Sequence, residues 1–238
     1  MSYIKGSTLE KMIQKQVKYW EDYKKPDEDR PDEARPFITI SREYGCSITP
    51  FSLLLAQKLN EYEKTERWQA YEKNLIDQIV KNTGVSDKLI ETIDTKKREE
   101  MTELMRSFLT DYPPQVTAYK QLVKTVRSLS ILGRAIIVGR AGVVITRGLK
   151  FGVHLRFIAP LSYRVKRIME LNSIKDKLEA EKLVEKKDRE RHDFLTQYIR
   201  FDANNPASYD ITINMAHFTD EEMAETVISL LRAKKYIK

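Results

Sequence analysis

The sequence predicts an α/β protein in which a parallel sheet is covered by helices on both faces. Three observations lead there. Short apolar runs alternate with long helical patterns along the chain, and only a crossover helix can return the chain to start the next parallel strand. Residues 37–59 run from an apolar strand through a polar turn at Gly45 into an amphipathic helix. The content is 41% apolar and 32% charged with only 8 Gly and 8 Pro, which describes a helix-rich globular chain.

Taken in order, residues 8–24 place Leu9, Met12, Ile13, Val17 and Trp20 at helical spacing. Residues 25–36 hold Pro26, Pro31 and Pro36 among charges and read as a linker. The division is therefore an appendage over 1–36, which docks on the main body or on a second copy as a homo-oligomer, and an α/β domain over 37–238. Strands are expected at 37–41, 135–139, 153–158 and 209–213, with a weaker one near 66–71. A helical insert over 72–131 divides into 72–82, 86–94, 96–110 and 114–131. Its breaks fall at Gly84, followed by Ser86 as N-cap, and at Pro113–Pro114. Such an insert walls a second substrate or packs around a sheet edge. A charged helix near 175–205 reads as a lid.

The formal net charge of +7 calls for an anionic partner. Acids and bases alternate over 179–188, as on a solvated face, and no aromatic residues interleave with Lys/Arg, so nucleic acid is not the expected partner. No window approaches the ~18 apolar residues of a membrane span, and the Met-Ser-Tyr-Ile-Lys start lacks the apolar core of a secretory signal. The expectation is a cytoplasmic protein with no membrane partner. Cys46, the single cysteine, excludes an intrachain disulfide. It is either a thiol of lowered pKa at a helix N-terminus or a small residue in a crowded turn. His154, His192 and His217 are too scattered for a metal site.

Four segments carry chemistry. A strand feeding a tight turn onto a helix start aims free backbone N–H groups and the helix dipole at one point, which favours phosphate. A full phosphate loop reads G-x-x-x-x-G-K-[ST], whereas Gly45 is followed by Cys46, Ser47, Ile48, Thr49 and Pro50, so the lysine and second glycine are missing. Pro50 suits the first helical position with Thr49 as N-cap. Next, Arg140 stands between Gly139 and Gly142 after an apolar strand, where open α/β sheets bind ligands, and its planar fork suits a phosphate. Arg164 and Arg167, three apart, share a helix face opposite Val165, Ile168 and Met169 and can flank a nucleotide. Finally, residues 186–194 resemble a lid in which Arg189 and Arg191 swing over a transferring phosphoryl group. Asp188 and Asp193 are candidates for Mg²⁺ or acceptor contacts, with an ion pair to Arg191 or Lys187 as the expected role, and the metal ligands stay unassigned.

In this order, residues 38–45, 137–140, 159–170, 188–191 and 209–214 resemble the cytidylate kinase-like family of phosphate-loop nucleoside monophosphate kinases. The resemblance implies a three-layer α/β/α phosphate-loop NTPase-like fold with a five-stranded parallel sheet and a helical lid. It implies transfer of the ATP γ-phosphoryl group to CMP or dCMP with Mg²⁺. It also implies a phosphate cradle at Ser41, Arg42, Gly45, Cys46 and Ser47, an acceptor phosphate at Arg140, and lid arginines at Arg189 and Arg191. Ser47, Ile48 and Thr49 replace two glycines and an arginine of the family pattern, which pushes side-chain bulk toward the anion. Two readings stand: an ATP-dependent kinase acting on a small nucleotide, and a catalytically inactive nucleotide- or anion-binding or assembly protein of the same fold.

Overall fold

The computed structural model describes residues 34–64, 67–81, 89 and 117–238. The helices expected at 8–24, 86–94 and 96–110 and the breaks at Gly84 and Pro113–Pro114 lie outside the described residues, as does nearly all of the linker. All five expected strands form: β1 (Phe37–Arg42), β2 (Gln69–Tyr71), β3 (Ala135–Val138), β4 (Gly152–Ile158) and β5 (Ile211–Asn214). Every pairing is parallel, in the order β2-β3-β1-β4-β5. Between them run α1 (Ile48–Glu63), α2 (Lys73–Lys81), α3 (Thr117–Leu132), the single turn α4 (Gly142–Ile145), α5 (Leu161–Asn172) and α6 (Lys177–Ile199), with α7 (Asp220–Ala233) closing the chain.

β1 lies at the centre, with Phe37 to Ile40 buried on both faces. Ile38 and Ile40 point into one core with Ile136, Val138, Leu155 and Phe157, against Phe51, Leu55 and Leu59 of α1 and Met223, Val227 and Leu231 of α7. Phe37 points the other way, into a core built with Ile137 and with Leu75, Ile76, Val123 and Val126 of α2 and α3. Two helical layers thus sandwich one sheet, the three-layer α/β/α arrangement expected from the sequence. Close packing sets one glycine: a Cβ on Gly152 would stand 2.6 Å from the Phe37 ring, so β4 passes flush against β1.

Helix ends follow their local chemistry. α7 opens on a capping box, Thr219 with Glu222, behind three acids that suit the positive end of the dipole. α6 opens on Asp176, whose carboxylate accepts the Leu178 N–H. Past the end of α1, the Asn60 side chain holds the Trp68 backbone by both N–H and carbonyl (2.7 and 3.0 Å) and so guides the chain into β2. Among the described residues, no helix is long and apolar enough to cross a membrane.

In this order the chain leaves β1 for β2 and β3 on one flank and then crosses to β4 and β5 on the other. The connections after β1 and β3 therefore diverge at the carboxyl edge, and open α/β sheets bind ligands in the crevice so formed. Phe51 fixes the helix that leaves this edge, its ring centroid 4.9 Å from that of Phe157 with no exposed surface. Phe51→Ala is expected to lower the unfolding free energy by about 3–5 kcal/mol, read from denaturant midpoints of the full chain.

Candidate functional site

The turn after β1 is held from behind by one buried arginine. Arg164 of α5 donates from Nε to the Ala159 carbonyl (3.0 Å) and from Nη1 to the Tyr44 carbonyl (3.0 Å). Its charge is met by Glu43 (3.3 Å) and by Asp188 of α6. Glu43 in turn accepts the Ala159 N–H (3.0 Å), and Asp188 accepts the Tyr44 N–H (2.8 Å). Arg164 and Arg167 thus do not share an exposed face. Arg164 is 8% exposed and its guanidinium is committed to these partners, while Arg167 lies toward Asp220 at the start of α7, whose carboxyl pKa is raised by burial and Glu221 against the pull of Arg167. The helical period set Arg164 on the face opposite Val165 and Ile168, whereas the structure buries it along with them, because the acids that meet it come from two other segments.

Gly45 needs its missing side chain. Its φ is +91°, and a Cβ there would meet Arg164 Cβ at 2.7 Å and the Arg164 carbonyl at 2.9 Å. Cys46 is buried. Burial and then Glu43 push its thiol up to about 11, so the lowered-pKa alternative does not hold. α1 begins at Ile48 with Ser47 as N-cap, two residues before the Thr49 cap that the sequence suggests. The shift has a packing cause: Ile48, 3% exposed, is already anchored in the core. Thr49 lies in the first turn, its carbonyl accepting the Ser52 hydroxyl (3.0 Å). Ser47 makes no side-chain cap bond, so the first-turn N–H groups receive no help from it.

Arginines gather in front of this turn. Arg42, at the end of β1, lies flush on β3, because a Cβ at Gly139 would stand 2.2 Å from its Nη1. Burial lowers its pKa to about 10, Arg191 and Arg140 adding to the effect and Glu72 opposing it. Arg191 reaches in from α6, its guanidinium carbon 5.2 Å from the centroid of the Tyr44 ring and its Nη1 3.5 Å from the Arg42 carbonyl oxygen. Burial lowers its pKa as well, with Asp188 opposing and Arg156 adding. Among the described residues, neither Arg42 nor Arg191 has a carboxylate at ion-pair distance. Arg140, at φ +55°, is paired with Asp77 of α2. Ser41 accepts a hydrogen bond from Arg156 of β4 (3.0 Å). Arg189 points away: it is exposed and pairs with Glu185 one turn back (3.7 Å).

The structure therefore brings Ser41, Arg42, Gly45, Cys46, Ser47, Thr49, Arg140 and Arg191 to one edge of the sheet and turns Arg167 and Arg189 elsewhere. Sequence reasoning missed Glu43, Asp77 and Arg156. For Arg156 a signal existed: with His154 it breaks the apolar run of β4 at alternate positions, on the side of Thr39 and Ser41. No group of three His, Cys, Asp or Glu among the described residues could hold a metal. Asp188 is bound to Arg164, and Asp193 is exposed.

Comparisons with known proteins bear on the family and the fold. A family model described as the cytidylate kinase-like family matches residues 37–217. The crystal structure of an uncharacterized protein from Eubacterium ventriosum shares the fold, with a TM-score of 0.64 at 17% identity over 84% of this chain and 99% of that one. A shikimate kinase from Bacteroides thetaiotaomicron aligns at a TM-score of 0.46 and 11% identity, over 84% of this chain and 99% of that one. A uronate isomerase from Corynebacterium glutamicum is 28% identical over 101 residues, 42% of this chain and 19% of that protein. The chain thus spans about a fifth of that relative's length.

Two measurements probe the site's frame. Arg164→Ala is expected to cost about 3 kcal/mol, the low end for breaking a buried ion pair, since both carboxylates it strands are partly exposed. Denaturant unfolding reads this directly. Folded Cys46 keeps its proton up to about pH 11, while the unfolded thiol releases it near 9. Its stabilising effect is therefore complete below about pH 9 and is lost on rising through pH 11. Iodoacetamide at pH 8 should label Cys46 only as the protein unfolds, and Cys46→Ala should flatten the alkaline loss of stability.

Proposed function

The chain belongs to the cytidylate kinase-like family, and on that premise we propose that it transfers the γ-phosphoryl group of ATP to CMP, dCMP or a related small acceptor. The observation that carries this is the meeting of Arg42 and Arg191 at the carboxyl edge without a carboxylate partner among the described residues. Two guanidiniums repel each other there, and a polyanion would convert that repulsion into binding.

In this reading the donor's phosphates lie on the turn from Glu43 to Ser47 and on the open first turn of α1. Arg42, fixed on β1 and seated on Gly139, and Arg191, carried by α6, neutralise charge on the transferring group. They take the place of the absent lysine, since the turn itself carries no basic side chain between Glu43 and Pro50. Arg140, its fork held by Asp77, adds positive charge beside Arg42 at the donor end. Positioning and charge neutralisation supply most of what phosphoryl transfer asks of a protein. Mg²⁺, where present, offsets phosphate charge in such reactions, but the acids near the turn do not make a protein-ligated site for it, so no step is assigned to the metal. The helical insert over 72–131 would wall the acceptor, and residues 1–36 would form a separate appendage able to join two copies. A cytoplasmic setting suits such substrates.

The second reading, an inactive anion-binding or assembly protein, has its own support: Asp188 already takes the Tyr44 N–H, and Thr49 stands where the family pattern carries an arginine. ADP formation separates the two. Turnover of ATP with CMP is expected, along with stabilisation by ATP analogues, and Arg42→Ala should lower kcat/KM by about 10²–10³-fold. Failure to form ADP with any nucleoside monophosphate at high enzyme concentration would leave only the second reading.

A further inference from the structure

Arg156 is a cation with no visible purpose in the fold. It sits on β4 beside Ser41 of β1, 8% exposed, and no carboxylate among the described residues lies at ion-pair distance. Neutral groups hold it instead. Nη1 donates to Ser41 Oγ and Nη2 to Asn204 Oδ1, both at 3.0 Å, and the guanidinium carbon stands 5.9 Å from the centroid of the Tyr209 ring. Tyr209 Oη is 3.0 Å from the Ala203 carbonyl and 3.3 Å from Ser41 Oγ. A phenol has one proton and a carbonyl can only accept, so Tyr209 donates to Ala203 and the Ser41 hydroxyl donates to Tyr209. The relay runs from Arg156 through Ser41 and Tyr209 to Ala203 and fixes the guanidinium without discharging it.

A buried charge that is oriented but not neutralised is costly, and its position explains why it is kept. Arg156 bonds Ser41, the residue before Arg42, and Arg191 Nη1 approaches the Arg42 carbonyl oxygen at 3.5 Å, so both forks converge on the end of β1, close enough for Arg156 to depress the Arg191 pKa. The four guanidiniums, Arg140 included, lie along the ends of β3, β1 and β4, and among the described residues only Arg140 has its own carboxylate. Arg42 stands at the Arg140 end of this row. The far end, Arg156 with Arg191, faces no described anion.

We propose that Arg156 and Arg191 form a second anion subsite, specific for a phosphomonoester, in which Ser41, Asn204 and Tyr209 are the positioning residues. This rests on the phosphoryl-transfer reading and deepens it: the subsite would take the phosphate of the acceptor, so that donor and acceptor phosphates occupy opposite ends of one row of arginines. The recognised chemistry is the dianionic phosphate and not the base.

The fork's geometry makes the test directional. Arg156→Met keeps the side chain's length and removes a charge that no described acid balances, so the free protein should unfold at the same temperature or higher. Titration by calorimetry should show CMP binding weakened at least tenfold in Arg156→Met, with cytidine not binding even the unaltered protein and inorganic phosphate competing with CMP. An ATP analogue should bind Arg156→Met as it binds the unaltered chain and should lose affinity in Arg42→Met. If Arg156→Met instead unfolds at a lower temperature and binds CMP unchanged, Arg156 is a structural tie and the subsite is refuted. If cytidine binds as tightly as CMP, the phosphomonoester assignment is refuted. If the CMP site behaves as described but no ADP forms, the transfer reading fails while the subsite stands. If the unaltered protein binds neither CMP nor the ATP analogue, both fail.

Discussion

The buried guanidinium of Arg164 is the contact on which the rest of this edge depends. It ties the end of β4, the turn after β1 and the middle of α6 to one point, through the carbonyls of Ala159 and Tyr44 and the carboxylates of Glu43 and Asp188. A planar fork suits such a junction because its donors leave in fixed directions. Gly45 then passes over Arg164 at a distance no side chain would allow. The turn keeps its shape without the glycine-rich sequence that usually gives a phosphate loop its form.

Arginine is used in two ways here. Arg134 meets Glu63 through two nitrogens (3.2 Å each), and Arg164 and Arg140 are likewise paired with acids, so these three cations hold structure together. Arg42, Arg156 and Arg191 are placed by backbone position, neutral hydrogen bonds or an aromatic face, and their charge is left unspent. The distinction lies in the partners and not in the residue type, and it separates scaffold from candidate chemistry on one edge of one sheet.

That distinction also marks where the sequence stops being legible. Strand positions came through well because β1 and β3 are buried on both faces and read as apolar runs. α6 came through as a charged helix, and the segment after β1 as a turn feeding a helix start, since both signals are local. Arg164 and Arg167 did not come through, because helical spacing says that two residues share a side but not which distant acids face it. The cap of α1 was displaced because Ile48 answers to the core and not to capping preference. Arg189 and Arg191, two apart on one helix, diverge by about 200°, so only one of them can face the turn.

Asp188 has a mechanical consequence. Its carboxylate is both a counter-ion of Arg164 and the acceptor for the Tyr44 amide, and the first half of α6 is packed on α5 through Ala180, Val184, Val165 and Ile168. Peeling that half away would strand a cation in the interior. Beyond Arg191 the helix is held a second time, because Leu195 and Ile199 pack against Val143, Val144 and Phe201, so α6 is tied to the body on both sides of the guanidinium it carries.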